Sequence, residues 1–293
     1  MPASGPVAVV TDSTASLTPE IAEARGIAVV PLRVVVGTAS YDEGVRGGMT
    51  SQTLAEALAA RTPVSTSRPN PEEMLETYER LAREGVEHVV AVHLSGELSG
   101  TCESAQLAAR RASVPVTVVD SGQVGMGTGF CVLAAADAIA RGGDAEAAAS
   151  AARSVSARTT SLFYVDTLEY LRRGGRVGAV GALVGSALAV KPILTVTDGR
   201  VTPLERVRTS AKALSRLEEL AVASADGLDG GVDVAVSHLA SPDRARELAD
   251  RLGDRLAAGL EGRAVLVGEI GAVLGVHVGP GMVSAVIAPR TST

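Results

Sequence analysis

The chain has 293 residues and a formal net charge of −6, enough length for one large or two ordinary domains and no basic excess to attract nucleic acid. Hydrophobic residues make up 46% and aromatic residues only 2%, so the core must be built from Ala, Val, Leu and Ile. A pocket in such a chain is lined by aliphatic side chains and suits a flexible hydrocarbon better than a stacked ring. A codon bias toward Ala, Val, Gly and Arg would give the same composition. Cys102 and Cys131 have neither metal nor redox spacing and read as reduced, buried residues of a cytoplasmic protein. The first ten residues carry no basic segment and no signal-peptide pattern. The longest apolar stretch, residues 177–190, is broken by Gly178, Gly181, Gly185 and Ser186 and does not read as membrane-spanning.

In chain order, residues 7–10 form a short apolar strand that ends in the polar turn Thr11-Asp12-Ser13-Thr14. Thr18-Pro19-Glu20 opens a helix that stops at Gly26. Residues 27–36 read as one β-branched strand, 37–48 as a polar loop, and 51–60 as a helix capped by Thr50. Ser65, Thr66 and Ser67 precede Arg68-Pro69-Asn70-Pro71, whose prolines place the three hydroxyls in a rigid loop. Asn70 caps the next helix and Pro71 opens it.

Residues 89–93 form a buried strand, 94–101 a tight loop rich in glycine and hydroxyls, and about 101–112 a helix. This turn gathers free N–H groups at a helix start, a place for a small anion such as a carboxylate, with Ser95, Ser99 and Thr101 as hydroxyl donors. It reads equally as a helix whose cap is Ser99 or Thr101. Strand 116–119 ends at Asp120-Ser121. Gly125-x-Gly127 then has Phe130 where a dinucleotide fingerprint has its third glycine, so this run reads as a turn with close helix packing. Asp144 caps a further helix to about Arg158. Strands that alternate with helices and end in hydroxyl-rich turns indicate a parallel α/β sheet, which binds ligands at the carboxyl ends of its strands.

The second half differs. A strand at 161–165 leads to Asp166, read as the cap of a short helix, and to the basic turn Arg172-Arg173-Gly174-Gly175-Arg176. Asp198-Gly199 is a hairpin turn between strands 191–196 and 200–208. Ser210 caps a helix to about Ala223. Residues 232–267 form a strand–helix–strand unit, and 282–287 a last strand. A hairpin beside βα units indicates a mixed sheet. The expected fold class is therefore α/β with two domains: residues 1–158 around a parallel sheet and 159–293 around a mixed sheet, with a ligand cleft between them.

Catalytic signatures are sparse: there is no Gly-x-Ser-x-Gly elbow and no phosphate loop ending in Gly-Lys-Ser/Thr. His88, His93, His238 and His277 are too dispersed for a metal site. His277 lies between Gly275 and Gly279-Pro280-Gly281, where a ligand can approach closely; a neutral imidazole donates one hydrogen bond and accepts another. Arg172, Arg173 and Arg176 fit either a phosphate clamp or acidic-partner contact, or a solvated loop. Arg206 and Arg208 alternate on a strand and share a face.

Taken together, these segments resemble the DegV family, whose members look like the fatty-acid-binding subunits of bacterial fatty acid kinase. The resemblance is carried by Val9-Val10-Thr11-Asp12-Ser13, Thr66-Ser67-Arg68-Pro69, Leu94-Ser95-Gly96-Glu97-Leu98-Ser99-Gly100-Thr101 and Asp120-Ser121. It continues through Leu171-Arg172-Arg173-Gly174-Gly175-Arg176, Lys191-Pro192-Ile193, Val207-Arg208-Thr209 and His277-Val278-Gly279-Pro280-Gly281. The set spans nearly the whole chain in the family's order. The chain departs at Arg68, where Gln is usual, at Gly96, where a second Ser is common, and at Cys102, where an aromatic is common.

The resemblance implies a three-layer first domain, a mixed-sheet second domain and an acyl chain enclosed between them. It implies that Thr66 and Ser95 hydrogen-bond the carboxylate, with His277 in the same network and Ser67 beside it. Arg208, Arg172 and Arg173 would face an ATP-binding kinase subunit that phosphorylates the carboxylate to an acyl phosphate for phospholipid metabolism. The chain itself would carry no catalytic residue, no metal and no cofactor besides the bound fatty acid, and would not insert stably into a membrane. Three other readings are a hydrolase with Ser95 or Ser99 as nucleophile and His277 as base, a stand-alone lipid carrier or regulator, and a relative of kinases for small ketones.

Overall fold

The computed structural model describes residues 6–45, 47–67, 69–176 and 191–290. Arg68 and the interrupted apolar stretch 177–190 lie outside the described residues. The first half runs β1 (Val7–Asp12), α1 (Pro19–Ala24), β2 (Ile27–Val30), β3 (Arg33–Val36), β4 (Ala39–Asp42), α2 (Ser51–Ala59), β5 (Val64–Ser67), α3 (Pro71–Arg83), β6 (His88–His93), α4 (Thr101–Ala109), β7 (Val116–Asp120), α5 (Met126–Ala140) and α6 (Ala145–Ser156). The second runs β8 (Thr160–Tyr164), α7 (Glu169–Arg173), β9 (Lys191–Thr197), β10 (Arg200–Val207), α8 (Ser210–Asp226), β11 (Val232–His238), α9 (Pro242–Arg255), α10 (Ala257–Leu260), β12 (Leu266–Glu269), α11 (Ala272–Val278) and β13 (Val283–Pro289).

Strands β2-β1-β6-β7 form a parallel sheet. Alternate residues of its central strands face opposite ways. Ala8, Val10, Val89 and Ala91 meet Met74, Tyr78 and Leu81 of α3, whereas Val9, Val90 and Val92 meet α5 and α6. Among the described residues, ten of the 13 strands lie in this sheet or in a mixed one of order β10-β9-β8-β13-β11-β12, in which only β11 and β12 pair in parallel. Ala235, Val286 and Ala288 of the mixed sheet share a core with α5 and α6, while its other face packs on α8 and α9. The layers thus alternate helix, sheet, helix, sheet, helix. Helix α5 is apolar on nearly every side because it has a sheet on both sides.

Local signals place several helix starts where the sequence predicts them. Thr18, Thr50, Asn70 and Asp144 each accept a backbone N–H of the first turn. Other expectations need correction. Residues 27–36 are two strands in different sheets, separated at Pro31-Leu32, because Pro31 cannot donate to a ladder. Residues 39–42, expected in a loop, pair as β4 with β3, and residues 64–67 are strand β5 on β3's other edge. Thr209, not Ser210, caps α8, since its hydroxyl accepts from Lys212 N–H at 3.3 Å. Asp166 caps no helix; it accepts instead from Lys191 Nζ at 3.0 Å and from the Tyr164 hydroxyl. Neither Ser99 nor Thr101 caps α4, because their hydroxyls bond each other at 2.8 Å.

Candidate functional site

A cavity of about 480 Å³ lies where the small β4-β3-β5 sheet, the 94–100 loop, α11 and the mixed sheet meet. Its wall is mostly aliphatic, with Leu32, Leu94, Leu98, Leu171, Val201, Val273, Leu274 and Val278, and one aromatic, Phe163. These belong to a buried cluster that joins both halves of the chain. The polar lining is confined to Thr66, Ser67, Ser99, Arg176 and His277.

Thr66 sits on β5 opposite Val34, so the ladder with β3 holds its hydroxyl in place. Thr66 Oγ1 and His277 Nε2 are 3.0 Å apart, across 211 residues of sequence. His277, which the sequence places between glycines, is in the last turn of α11. That helix is anchored at its start. The buried Glu43 carboxylate accepts from Val273 N–H at 2.7 Å, and Ser51 Oγ donates to Ile270 O at 2.7 Å. Burial is the chief cause that raises the Glu43 pKa. Gly275 lets α11 lie close to α2, since a Cβ there would be 2.5 Å from Leu54 Cδ2.

Burial, then the charge of Arg176, pushes the His277 imidazole down to about 4, so it is neutral at pH 7. Its Nδ1 is buried without a hydrogen-bond partner and faces Gly174, where a Cβ would overlap it. If Nε2–H donates to Thr66, the Thr66 hydroxyl keeps its own proton to give to an anion in the cavity.

The other predicted residues separate. Ser67 lines the cavity beside Thr66. Ser95 is fully buried and is not part of the lining; its hydroxyl donates to Gly199 O at 2.7 Å and accepts from Glu97 N–H at 3.2 Å. It fastens the tip of the β9–β10 hairpin to the loop, with an Arg200–Glu97 ion pair alongside. Ser99 lines the cavity instead, four residues on and one turn away. The loop is tied from below by Asp12, which accepts from His93 Nδ1 at 2.8 Å and from Leu94 N–H at 3.4 Å. Gly96 fits tightly, since a Cβ would lie 2.8 Å from Asp120 Oδ2. Arg176, on the basic turn, donates from Nε to Leu98 O at 3.0 Å.

Arg172, Arg173 and Arg208 are exposed and are not among the residues that line this cavity. Arg173 pairs with Glu169. Arg208 lies one residue beyond β10, so it does not continue the strand alternation with Arg206. Burial raises the pKa of both cysteine thiols, which keeps them protonated at pH 7. Among the described residues, no group of three or more His, Cys, Asp or Glu is placed to hold a metal ion. No helix among them is long and apolar enough to cross a membrane.

Fold and site together define a layered α/β protein with a mostly aliphatic cavity whose wall carries the Thr66–His277 pair. The chain belongs to the DegV family: the family model described as "Uncharacterised protein, DegV family" matches residues 6–290. A DegV domain-containing protein of Streptomyces coelicolor is 53% identical over 285 residues, covering 97% of this chain and 99% of the relative. Among solved structures, a Thermus thermophilus DegV family protein described by its fatty acid binding superposes with a TM-score of 0.89 at 33% identity, covering 98% of this chain and 100% of the other. DegV of Bacillus subtilis, described as a fatty acid binding protein, superposes at 0.87 with 31% identity and the same coverage.

Proposed function

We propose that the protein binds one long-chain fatty acid in this cavity and presents the carboxylate to an ATP-dependent kinase partner, which converts it to an acyl phosphate. The observation that carries the reading is a mostly aliphatic wall that bears the Thr66 hydroxyl and the His277 imidazole 3.0 Å apart. The fatty acid binding described for the Thermus and Bacillus relatives supports the ligand class. The cavity falls within the ~300–1,000 Å³ range of small-molecule pockets. About 15 methylenes at ~0.8 kcal/mol each give roughly 12 kcal/mol of gross burial. Association and ordering costs take back a large part. Each hydrogen bond to the charged head adds ~1.5–3 kcal/mol. The tail therefore dominates affinity and the head contacts set orientation.

Thr66, Ser67 and His277 form the head-group end in this reading, and Ser99 joins them from the loop. Ser95 acts on the same end by holding the loop to the hairpin. Residues 1–158 and 159–293 serve as the two domains, with the ligand between them. Arg172, Arg173 and Arg208 are the exposed cations that meet the partner. The protein works in the cytoplasm, uses no cofactor beyond its fatty acid and has no activity of its own.

The test is a titration of delipidated protein with palmitate and hexadecanol, which share a tail. Thr66→Val should weaken palmitate about tenfold or more, the loss of one charged hydrogen bond, and leave hexadecanol nearly unchanged. A protein that binds neither ligand breaks the reading. The partner step is tested by trapping acyl phosphate with hydroxylamine in the presence of ATP and the kinase subunit.

A further inference from the structure

The Thr66–His277 pair has two sides. On one lies the aliphatic cavity, called the inner cavity below. On its other side lies a second cleft of about 440 Å³, called the outer cleft below, which shares Thr66, Arg176 and His277 with the first. The outer cleft is lined further by Arg61 and Arg173, and no Asp or Glu is among its described lining residues. A group attached to the head of a chain at the Thr66–His277 pair would therefore adjoin a cleft lined by three guanidinium groups.

Two of these groups have features that a plain solvated surface does not require. Arg176 is fixed by backbone carbonyls, from Nε to Leu98 O at 3.0 Å and from Nη1 to Gly174 O at 2.5 Å. Arg61 follows α2 with φ of +57°, a conformation that normally belongs to Gly or Asn. Among the described residues Arg173 pairs with Glu169 one turn away, a largely exposed ion pair of small net worth.

We propose that the outer cleft is a phosphoryl-binding compartment, with Arg61, Arg173 and Arg176 as its cationic wall, and that it holds the phosphate of an acyl phosphate whose tail fills the inner cavity. The inference rests on the fatty-acid reading above. A carboxylate is small and is met by the hydroxyl–imidazole pair at the boundary. A phosphoryl group adds charge and three oxygens outside that boundary, where planar guanidinium groups match its geometry.

The experiment measures affinities for palmitate and for the β-ketophosphonate analogue of palmitoyl phosphate, in which CH2 replaces the bridging oxygen. Arg61→Asn keeps the left-handed backbone without strain and removes the charge; Arg61→Lys restores the charge. The expected result is about tenfold weaker binding of the analogue by Arg61→Asn, a larger loss when Arg173→Gln is added, recovery with Arg61→Lys, and palmitate affinity unchanged. Unchanged analogue binding in both Asn variants, or equal losses for analogue and palmitate, overturns the proposal. A wild-type protein that takes up neither ligand shows instead that the fatty-acid reading has failed. Inorganic phosphate added to the palmitate-loaded protein separates the sources. An Arg61-dependent shift of the His277 ring resonances means that the cleft also accepts free phosphate, and its absence beside an Arg61-dependent analogue means that the group must arrive on the chain.

Discussion

Gly174→Ala is a direct probe of the Thr66–His277 pair. Gly174 has φ −75° and ψ −7°, so Ala adopts its backbone without strain. The effect is steric. The added Cβ overlaps His277 Nδ1 and lies 2.9 Å from Cε1, where ordinary carbon contacts need about 3.5–4.0 Å. The ring cannot retreat straight back, because Nε2 on its far side is already 3.0 Å from Thr66 Oγ1. Either the imidazole leaves its rotamer or α11 shifts, and the hydrogen bond breaks. Overpacking costs about 1–3 kcal/mol, offset by ~0.4–1 kcal/mol from the stiffer unfolded chain. The net loss is roughly 1–2 kcal/mol in urea unfolding, with palmitate binding about tenfold weaker. Gly175→Ala is the control. Gly175 has φ of +71° and open space around it, so Ala there costs about 1 kcal/mol of stability and leaves palmitate affinity alone. A Gly174→Ala protein with wild-type midpoint and wild-type affinity would refute the reasoning.

Three further outcomes are expected. The folded-state pKa of His277 lies below its unfolded value of 6.5, so its contribution to stability is intact above pH 6.5 and is lost as pH falls toward 4. At about 1.4 kcal/mol per unit the full loss is ~3–4 kcal/mol, and urea unfolding of His277→Gln should lack this limb. Glu43 shifts the other way: its raised pKa favours the protonated folded form, so the charged form costs stability as pH rises. Glu43→Gln keeps an acceptor for Val273 N–H and should gain stability relative to wild type more at pH 8 than at pH 5. Ser95→Ala strands the buried Gly199 carbonyl and should cost ~1–3 kcal/mol. With the kinase partner it should retain much of its lipid binding and lose turnover; full turnover would remove Ser95 from the head-group account.

What was legible in the sequence was mostly local. A cap and a proline within three residues define the starts of α1 and α3, and Asp198-Gly199, both at positive φ, turns the β9–β10 hairpin. The parallel sheet was readable because its strands are nearly continuous apolar runs. The resemblance placed Thr66, Ser95 and His277 in one network; Thr66 and His277 lie 3.0 Å apart, whereas Ser95 bonds Gly199 instead. Non-local contacts were not readable. Strand β5 exists because β3, some 30 residues earlier, offers it an edge. Helix α11 contains Gly275 and lacks a side-chain cap of its own; Glu43, 230 residues away, supplies the acceptor. Ser95 and Ser99 look alike in the loop, and only the hairpin contact 104 residues on assigns Ser95 to Gly199 and leaves Ser99 on the cavity.

The most direct test of the central claim is native mass spectrometry of the purified protein, followed by solvent extraction and identification of what is released. The account predicts one long-chain fatty acid per chain, exchangeable for added palmitate. A protein that carries no lipid and takes up no added fatty acid would contradict it.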